Sequence, residues 1–339
     1  MLRRRRLGFS LVELMVALAT LGLVATLALR TFTNQHRTYV VIDDVSEVQQ
    51  SARAISSLLE RDIRNAGYMV PSSAAACGVD RIDGPDTIFL SDSDAILPCC
   101  SPPEPVGQAL DRSRSALRMA AETFTSPSIG VATLSVNETV VDGNATYDTD
   151  GDGANDSDFQ VGGGAILVDL ANPGRGVACG FVTAVPSTAS ITIDFVAALD
   201  NGSGSSAAAE LRLVPAHGYR IVELGGVSRL ERDGILLSRG VEDLQFAWYY
   251  DDDRDGQVDD PGETRGVPGT AYQSQAVDGA DLREIRFNVV SRTAGVDPSN
   301  PLAAGTGQRT ENRDTAVSSP DGFRRRIQTA TVRLRNVSS

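Results

Sequence analysis

The chain contains no lysine; all 31 of its basic residues are arginine. Schiff-base and lysine-nucleophile chemistry are therefore excluded. Histidine is nearly absent too. Only His36 and His217 occur, which leaves little room for histidine-based acid–base catalysis. His217 sits in Pro215-Ala216-His217-Gly218 and reads as a turn residue rather than a base. Neither G-x-S-x-G, H-E-x-x-H nor a Walker loop is present. Cysteine is limited to Cys77, Cys99, Cys100 and Cys179, with no C-x-x-C pair and no nearby histidine, which argues against a zinc site. Positive charge is also short: the formal net charge is −13, and no nucleic-acid partner is expected for the chain as a whole.

Long apolar runs are missing everywhere except at one place. From Phe9 to Leu29 the only charged residue is Glu13. About 20 apolar residues are enough to cross a bilayer as a helix. Arg3 to Arg6 stand immediately before this run and should stay in the cytoplasm, so everything after Arg30 is expected to be exported. Glu13 does not suit a plain anchor, since a carboxylate deep in a membrane costs roughly 2.5–3.5 kcal/mol. A partner for it is expected. No A-x-A-like site follows Leu29, so a cleavable secretory signal is disfavoured.

Gly8-Phe9-Ser10-Leu11-Val12-Glu13-Leu14 resembles the processing site of type IV prepilins. The resemblance implies cleavage between Gly8 and Phe9 by a membrane prepilin peptidase, then N-methylation of Phe9. It also implies that Glu13 meets the N-terminal amine of a neighbouring subunit during assembly, and an amine is the kind of partner a lipid-facing carboxylate needs. Loss of the leader's four arginines would take the formal charge from −13 to −17.

After Arg30, the residues Val41, Val45, Val48, Ala52, Ile55, Leu59 and Ala66 form a heptad-spaced apolar stripe. Gly67 and Pro71 mark its end. Residues 1–8 are thus a leader, 9–29 a transmembrane helix, 30–67 an amphipathic stalk and 68–339 a β-rich periplasmic or extracellular head. The helix of residues 9–66 would be about 87 Å long. The expected fold class is α+β: a long N-terminal helix packed on an antiparallel sheet, with large loop insertions. Strands are expected at Thr87–Leu90, Ala165–Asp169, Val177–Val185 and Ile191–Val196, and a short helix at Arg112–Glu122. Arg232-Asp233-Gly234 signals a hairpin within a sheet running from Leu211 to Tyr250. Leu244, Phe246, Trp248 and Tyr250 alternate, as do Ile285, Phe287 and Val289, and Ala330, Val332 and Leu334. Asn201–Ala209 reads as flexible and Thr293–Asp321 as a long surface loop.

Gly240-Val241-Glu242-Asp243-Leu244-Gln245-Phe246 resembles a segment of PilW-type minor pilins, as does the tail around Phe323-Arg324-Arg325-Arg326 and Thr331-Val332-Arg333-Leu334-Arg335-Asn336. The resemblance implies a pilin fold and no enzymatic activity. It implies a minor pilin that helps start type IV pilus assembly at the inner membrane and sits in or near the tip. Its partners would be other minor pilins, the major pilin and the prepilin peptidase. Twitching motility and cell adhesion are processes such a pilus serves. The alternative is a J-type minor pseudopilin of a type II secretion system. A membrane-tethered enzyme or carbohydrate-binding module is the remote alternative, without a motif behind it. Arg324 to Arg326 form a candidate local basic patch.

Two acidic loops stand apart. Asp148, Asp150, Asp152 and Asp156, with Asp158 close by, follow D-x-D-x-D-G-x-x-D. So do Asp251, Asp253, Asp255 and Asp259, with Glu263 close by. Calcium takes six to eight oxygens, and this spacing turns carboxylates at positions 1, 3 and 5 inward while glycine at 6 allows the bend. Position 12 of each loop is Phe159 or Gly262 rather than glutamate; Asp158 and Glu263, one residue off, are the candidate replacements. Calcium at one or both loops is the expectation. Export also makes disulfides possible, with three pairings open to four cysteines. A bridge from Cys77 to Cys99 or Cys100 would close a loop of about 22 residues, adding roughly 3 kcal/mol.

Overall fold

The computed structural model describes residues 10–68, 70–81, 84–92, 95, 117–118, 129–135, 159–187, 190–200, 210–258, 260, 263–265, 279–297 and 322–337. One helix dominates it. Helix α1 runs from Leu11 to Asn65, or about 82 Å at 1.5 Å per residue. Nothing in the first half interrupts it, and the threonines there are satisfied within the helix. The Thr20, Thr26 and Thr31 hydroxyls donate to the carbonyls of Val16, Gly22 and Leu27 at 2.9–3.0 Å. The stop is where Gly67 was expected to place it. Gly67 has φ +84°, and a Cβ there would lie 3.0 Å from Val337, so both conformation and space call for glycine.

Two antiparallel sheets follow. The first contains β1 (Ala76–Val79), β2 (Thr87–Leu90), β3 (Leu117–Arg118), β4 (Gly130–Ser135), β5 (Gly164–Asp169), β6 (Val177–Ser187), β7 (Ser190–Ala197), β8 (Leu211–Leu224), β9 (Val227–Arg232) and β10 (Ile235–Arg239). Its main order is β1-β2-β8-β5-β6-β7-β4, with β3 and β9 also on β8, and β10 on β9. The second contains β11 (Val241–Tyr250), β12 (Thr264–Arg265), β13 (Leu282–Arg292) and β14 (Arg325–Arg333), in the order β12-β11-β13-β14. The Asp233-Gly234 hairpin forms between β9 and β10 as its chemistry requires, with φ of 55° at Asp233 and 76° at Gly234.

The helix covers the second sheet. Ile55, Leu59, Ile63 and Ala66 share one buried cluster with Leu244, Phe246, Trp248, Tyr250, Ile285, Phe287, Val289, Val332 and Leu334. These are the alternating residues of β11, β13 and the β14 segment, so period two on the sheet meets period 3.6 on the helix. Asp86, just before β2, joins the two sheets. Its N–H donates to the Leu244 carbonyl and its Oδ2 accepts from the Phe246 N–H, both at 2.7 Å.

Three expectations change. The short helix at Arg112–Glu122 is not there at its centre: Leu117 and Arg118 are extended and pair with Leu213 and Arg212 of β8, so sheet pairing overrides local propensity. His217 is not in a turn. It lies buried within β8. The surface loop from Thr293 is anchored at its start, where Thr293 and Asp297 are buried and bond to residues 322–324 through the main chain. Residues 298–321 and 201–209 lie outside the described residues.

Candidate functional site: the helix and an acidic loop

The two halves of α1 have opposite environments. No residue from Leu11 to Val40 is buried. Leu11, Val12, Met15, Leu18, Leu21, Leu23, Val24 and Leu29 are large, apolar and exposed. An apolar surface of that length in water is a strong liability, and it marks a membrane or partner surface. The one carboxylate there, Glu13, accepts the backbone N–H of Ser10 at 3.0 Å through Oε2. That bond satisfies part of the acid within a single chain. Gly8 and Phe9, the expected cleavage point, lie outside the described residues.

The second half is locked to the sheets by a group that the stripe does not contain. Asp62 is buried on the packing face. Its Oδ2 accepts the Tyr219 hydroxyl at 2.5 Å and pairs with Arg232 Nη2 at 2.7 Å. Burial and the adjoining Asp62 carboxylate push the Tyr219 hydroxyl well above its ordinary pKa, so it stays a donor. The three groups come from α1, β8 and β9, so one polar knot joins helix to sheet. An aspartate at this spacing reads as solvent face in sequence, and nothing nearby signals its partners. Ile63, also fully buried, fills the gap that the stripe leaves between Leu59 and Ala66.

The acidic loop after β11 is built on paired strands. Tyr250 N–H donates to the Glu263 carbonyl at 2.7 Å, which sets Asp251 and Glu263 side by side where β11 meets β12. One carboxylate oxygen each from Asp251, Asp253 and Glu263 lie within 4.8 Å of one another. Asp251 and Glu263 are buried and Asp253 is exposed. Asp251 Oδ2 accepts from Arg283 Nε at 3.1 Å and Gly256 N–H at 3.2 Å. Glu263 accepts the N–H groups of Asp252 and Asp260 at 3.2 and 2.8 Å. Asp255 is outside the group: its Oδ1 takes the Gln257 N–H at 2.7 Å instead. Asp259 lies outside the described residues, as do Asp148, Asp150, Asp152, Asp156 and Asp158 of the first loop.

The Cys77–Cys179 disulfide settles one of the open pairings, joining β1 to β6 across 102 positions with Cα atoms 6.1 Å apart. The bridge from Cys77 to Cys99 or Cys100 is thereby excluded for Cys77. Both sulfurs belong to an apolar cluster with Phe89, Ile166 and Val214, so the folded sheet rather than chain proximity chooses the partner. Cys99 and Cys100 lie outside the described residues.

The candidate basic patch is already neutralised in part. Arg324 pairs with Asp297 and Arg325 with Glu242 at 2.5–2.6 Å. Glu242 also accepts Arg292 at 2.9 Å. The Gly240–Phe246 segment and the Phe323–Arg326 tail, 83 positions apart at Glu242 and Arg325, therefore meet across β13. His217 is held between two carboxylates, with Nδ1 at 2.7 Å from Asp233 and Nε2 at 3.8 Å from Asp92.

Comparison with known proteins bears on the two ends of this arrangement differently. The backbone is similar to that of a type IV-like pilin from Thermus thermophilus, at 11% identity and a TM-score of 0.27, over 88% of this chain and 97% of that one. That likeness is too slight to build on. Residues 3–29 match the family model for the prokaryotic N-terminal methylation motif. This chain therefore carries a prokaryotic N-terminal methylation motif at the exposed, apolar end of a helix whose other end is fixed to a β-sheet.

Proposed function

We propose that this chain is a minor pilin of a type IV pilus, of the PilW kind. It is inserted in the inner membrane with its N-terminus cytoplasmic and its β-rich head exported. The prepilin peptidase cuts between Gly8 and Phe9 and Phe9 is methylated. The apolar half of α1 then leaves the lipid and packs among other minor pilins and the major pilin, helping to start the fibre and remaining in or near its tip. The protein acts as a building block and performs no chemistry on a substrate.

The observation that carries this reading is the division of α1. A helix of 55 residues is apolar as far as Leu29 and exposed as far as Val40, and its later turns are then buried in part against the chain's own sheet. A soluble protein would cover that first half; a plain anchor would need neither Glu13 nor the methylation motif. Glu13 fits the same reading. Its bond to Ser10 N–H holds the acid in a single chain. A cationic amine from a neighbour is a stronger, charge-assisted partner once the subunits stack.

Co-expression with a prepilin peptidase, followed by mass spectrometry of the N-terminus, tests the proposal. The expected product begins at methylated Phe9. An intact leader on protein recovered from fibres would overturn it. Changing Glu13 to Ala should spare cleavage and reduce assembly. Normal pilus number in that variant would remove the pairing role.

A further inference from the structure

We propose that Asp251, Asp253 and Glu263 bind one calcium ion at the junction of β11 and β12. The argument starts from charge. The three carboxylates whose oxygens converge within 4.8 Å carry three negative charges, and Arg283 on Asp251 offsets one. Like charges this close repel unless something positive sits among them.

A second observation is independent of the cluster. Asp251 is 1% exposed, and its Oδ1 is buried without a hydrogen-bond partner. A buried carboxylate oxygen with no donor carries a desolvation cost that native structures avoid. Its other oxygen is already taken by Arg283 and Gly256. Oδ1 is thus the oxygen left for a cation.

Hard oxygen donors select calcium or magnesium over softer metals. Calcium accepts irregular sets of six to eight oxygens at 2.3–2.6 Å, whereas magnesium demands a near-ideal octahedron. A set that mixes two buried carboxylates from strand ends with one exposed carboxylate from a loop suits the tolerant ion. Backbone carbonyls of the loop and water complete the shell. The narrowing relative to the sequence pattern is specific: Glu263 enters the site although it stands one place beyond the usual twelfth position, and Asp255 does not. The bound ion ties the start of β12 to the end of β11 and relieves the repulsion between them. Affinities of about 10⁻⁴–10⁻³ M are typical of exported modules and match the calcium available outside a cell.

The test uses the full chain in detergent micelles after chelator treatment. Calorimetry with calcium chloride gives stoichiometry and affinity. Terbium luminescence, sensitised through the adjoining Tyr250, reports the site itself. Asp253→Ala is the decisive variant because Asp253 is exposed and its loss should not disturb folding. Glu263→Gln is the second variant, and Asp150→Asn is a control for the other acidic loop. The expected result is calcium-displaceable luminescence that Asp253→Ala and Glu263→Gln weaken by about tenfold or more and Asp150→Asn leaves unchanged. A smaller loss in Asp253→Ala, or no binding up to about 10 mM calcium, well above the affinity range of exported modules, overturns the proposal.

Discussion

Replacing Asp62 with Leu should loosen the stalk from the sheets more than any apolar substitution of similar size on the same face. Asp62 Oδ2 lies 2.7 Å from Arg232 Nη2 and also accepts the Tyr219 hydroxyl. At an effective dielectric of about 20, charges at that distance attract by roughly 6 kcal/mol before desolvation is subtracted. What the substitution costs is set by what it strands. Arg232 would keep a guanidinium whose side chain is only 20% exposed, with Asp233 at 3.9 Å as its nearest remaining carboxylate. Breaking one side of a buried pair typically costs 3–5 kcal/mol. The residual exposure of Arg232 puts the expectation near the lower end, at about 3 kcal/mol. The assay is urea unfolding of the detergent-solubilised chain, followed by tryptophan fluorescence. The sequence has one tryptophan, Trp248, and it lies in the cluster against which the helix packs. Asp62→Leu, Arg232→Met and the double variant complete a cycle. The double variant should recover part of the loss, since it removes both members of the pair, with a coupling of about 2 kcal/mol. A single variant as stable as the parent, with coupling near zero, would refute the reasoning and leave the hold to the apolar face and the weaker polar ties at Ser51 and Asn65.

Other outcomes follow from the same geometry. Non-reducing digestion should yield a linked peptide holding Cys77 and Cys179, and replacing both with Ala should cost up to about 4.7 kcal/mol, the chain-entropy figure for a loop of about 100 residues; a Cys77–Cys99 peptide would contradict this. Gly78→Ala should destabilise by about 1–3 kcal/mol, because a Cβ there would stand 2.4 Å from Trp248 Cζ2 and 2.9 Å from the Thr87 carbonyl, with backbone on one side and a packed ring on the other; an unchanged urea midpoint would show that the ring can move. Burial, with Asp80 beside it, raises Asp86 to about 9 from an ordinary 3.8. The unfolded chain therefore gives up this proton before the folded one does, so Asp86 makes stability fall as pH rises from about 4 to 9, by up to about 1.4 kcal/mol per pH unit. Asp86→Asn should flatten that slope, and identical midpoint profiles for variant and parent between pH 5 and 8 would exclude the effect.

The parts of the fold that sequence discloses are those written as local periodicity. The exposed run from Leu11 onward, the stripe through Ile55 and Leu59, and the alternation of Leu244, Phe246, Trp248 and Tyr250 each need only a few neighbours to be read. Gly67 and Asp233-Gly234 are legible for the same reason, since backbone stereochemistry restricts what can stand there. Contacts that span the chain are not legible. Asp62 and Tyr219 are 157 positions apart, so an aspartate that completes a buried knot looks like one more solvated charge. Leu117 and Arg118 become a strand only because β8 is there to pair with them. His217 looks like a turn residue between proline and glycine, yet Gly218 is there because Phe181 and Phe89 crowd its position, with a Cβ meeting the Phe181 ring at 2.6 Å. In the acidic loop the pattern shows which residues are available, while the pairing of β11 with β12 decides that Glu263 turns in and Asp255 turns to Gln257.

The positions of the long-range ties make physical sense for a helix whose first half lies exposed among the described residues. Among the described residues nothing buries the first half of α1, so a pull or displacement on it reaches the described head through the second half. An apolar stripe resists separation but slides easily, because dispersion and burial have little directional preference. The Asp62–Tyr219–Arg232 knot adds directional bonds at the point where the helix is about to end. One turn later Gly67 donates to Ser91, which leads into the sheet that the Cys77–Cys179 bridge closes. At the other end of the chain, β14 lies under the helix and is fixed in turn by Arg325 on Glu242. The strand that bears the helix is thus held by ion pairs at its start, by β13 along its length and by the packing of Ala330 and Val332 near its end. Stability in this design should be graded: urea or force applied to α1 should detach the apolar contacts near Val48 before it reaches the knot at Asp62, and hydrogen exchange should accordingly be faster at residues 41–50 than at 55–65. Equal protection along the whole segment would mean that the helix docks as one unit and that the knot adds nothing to its hold.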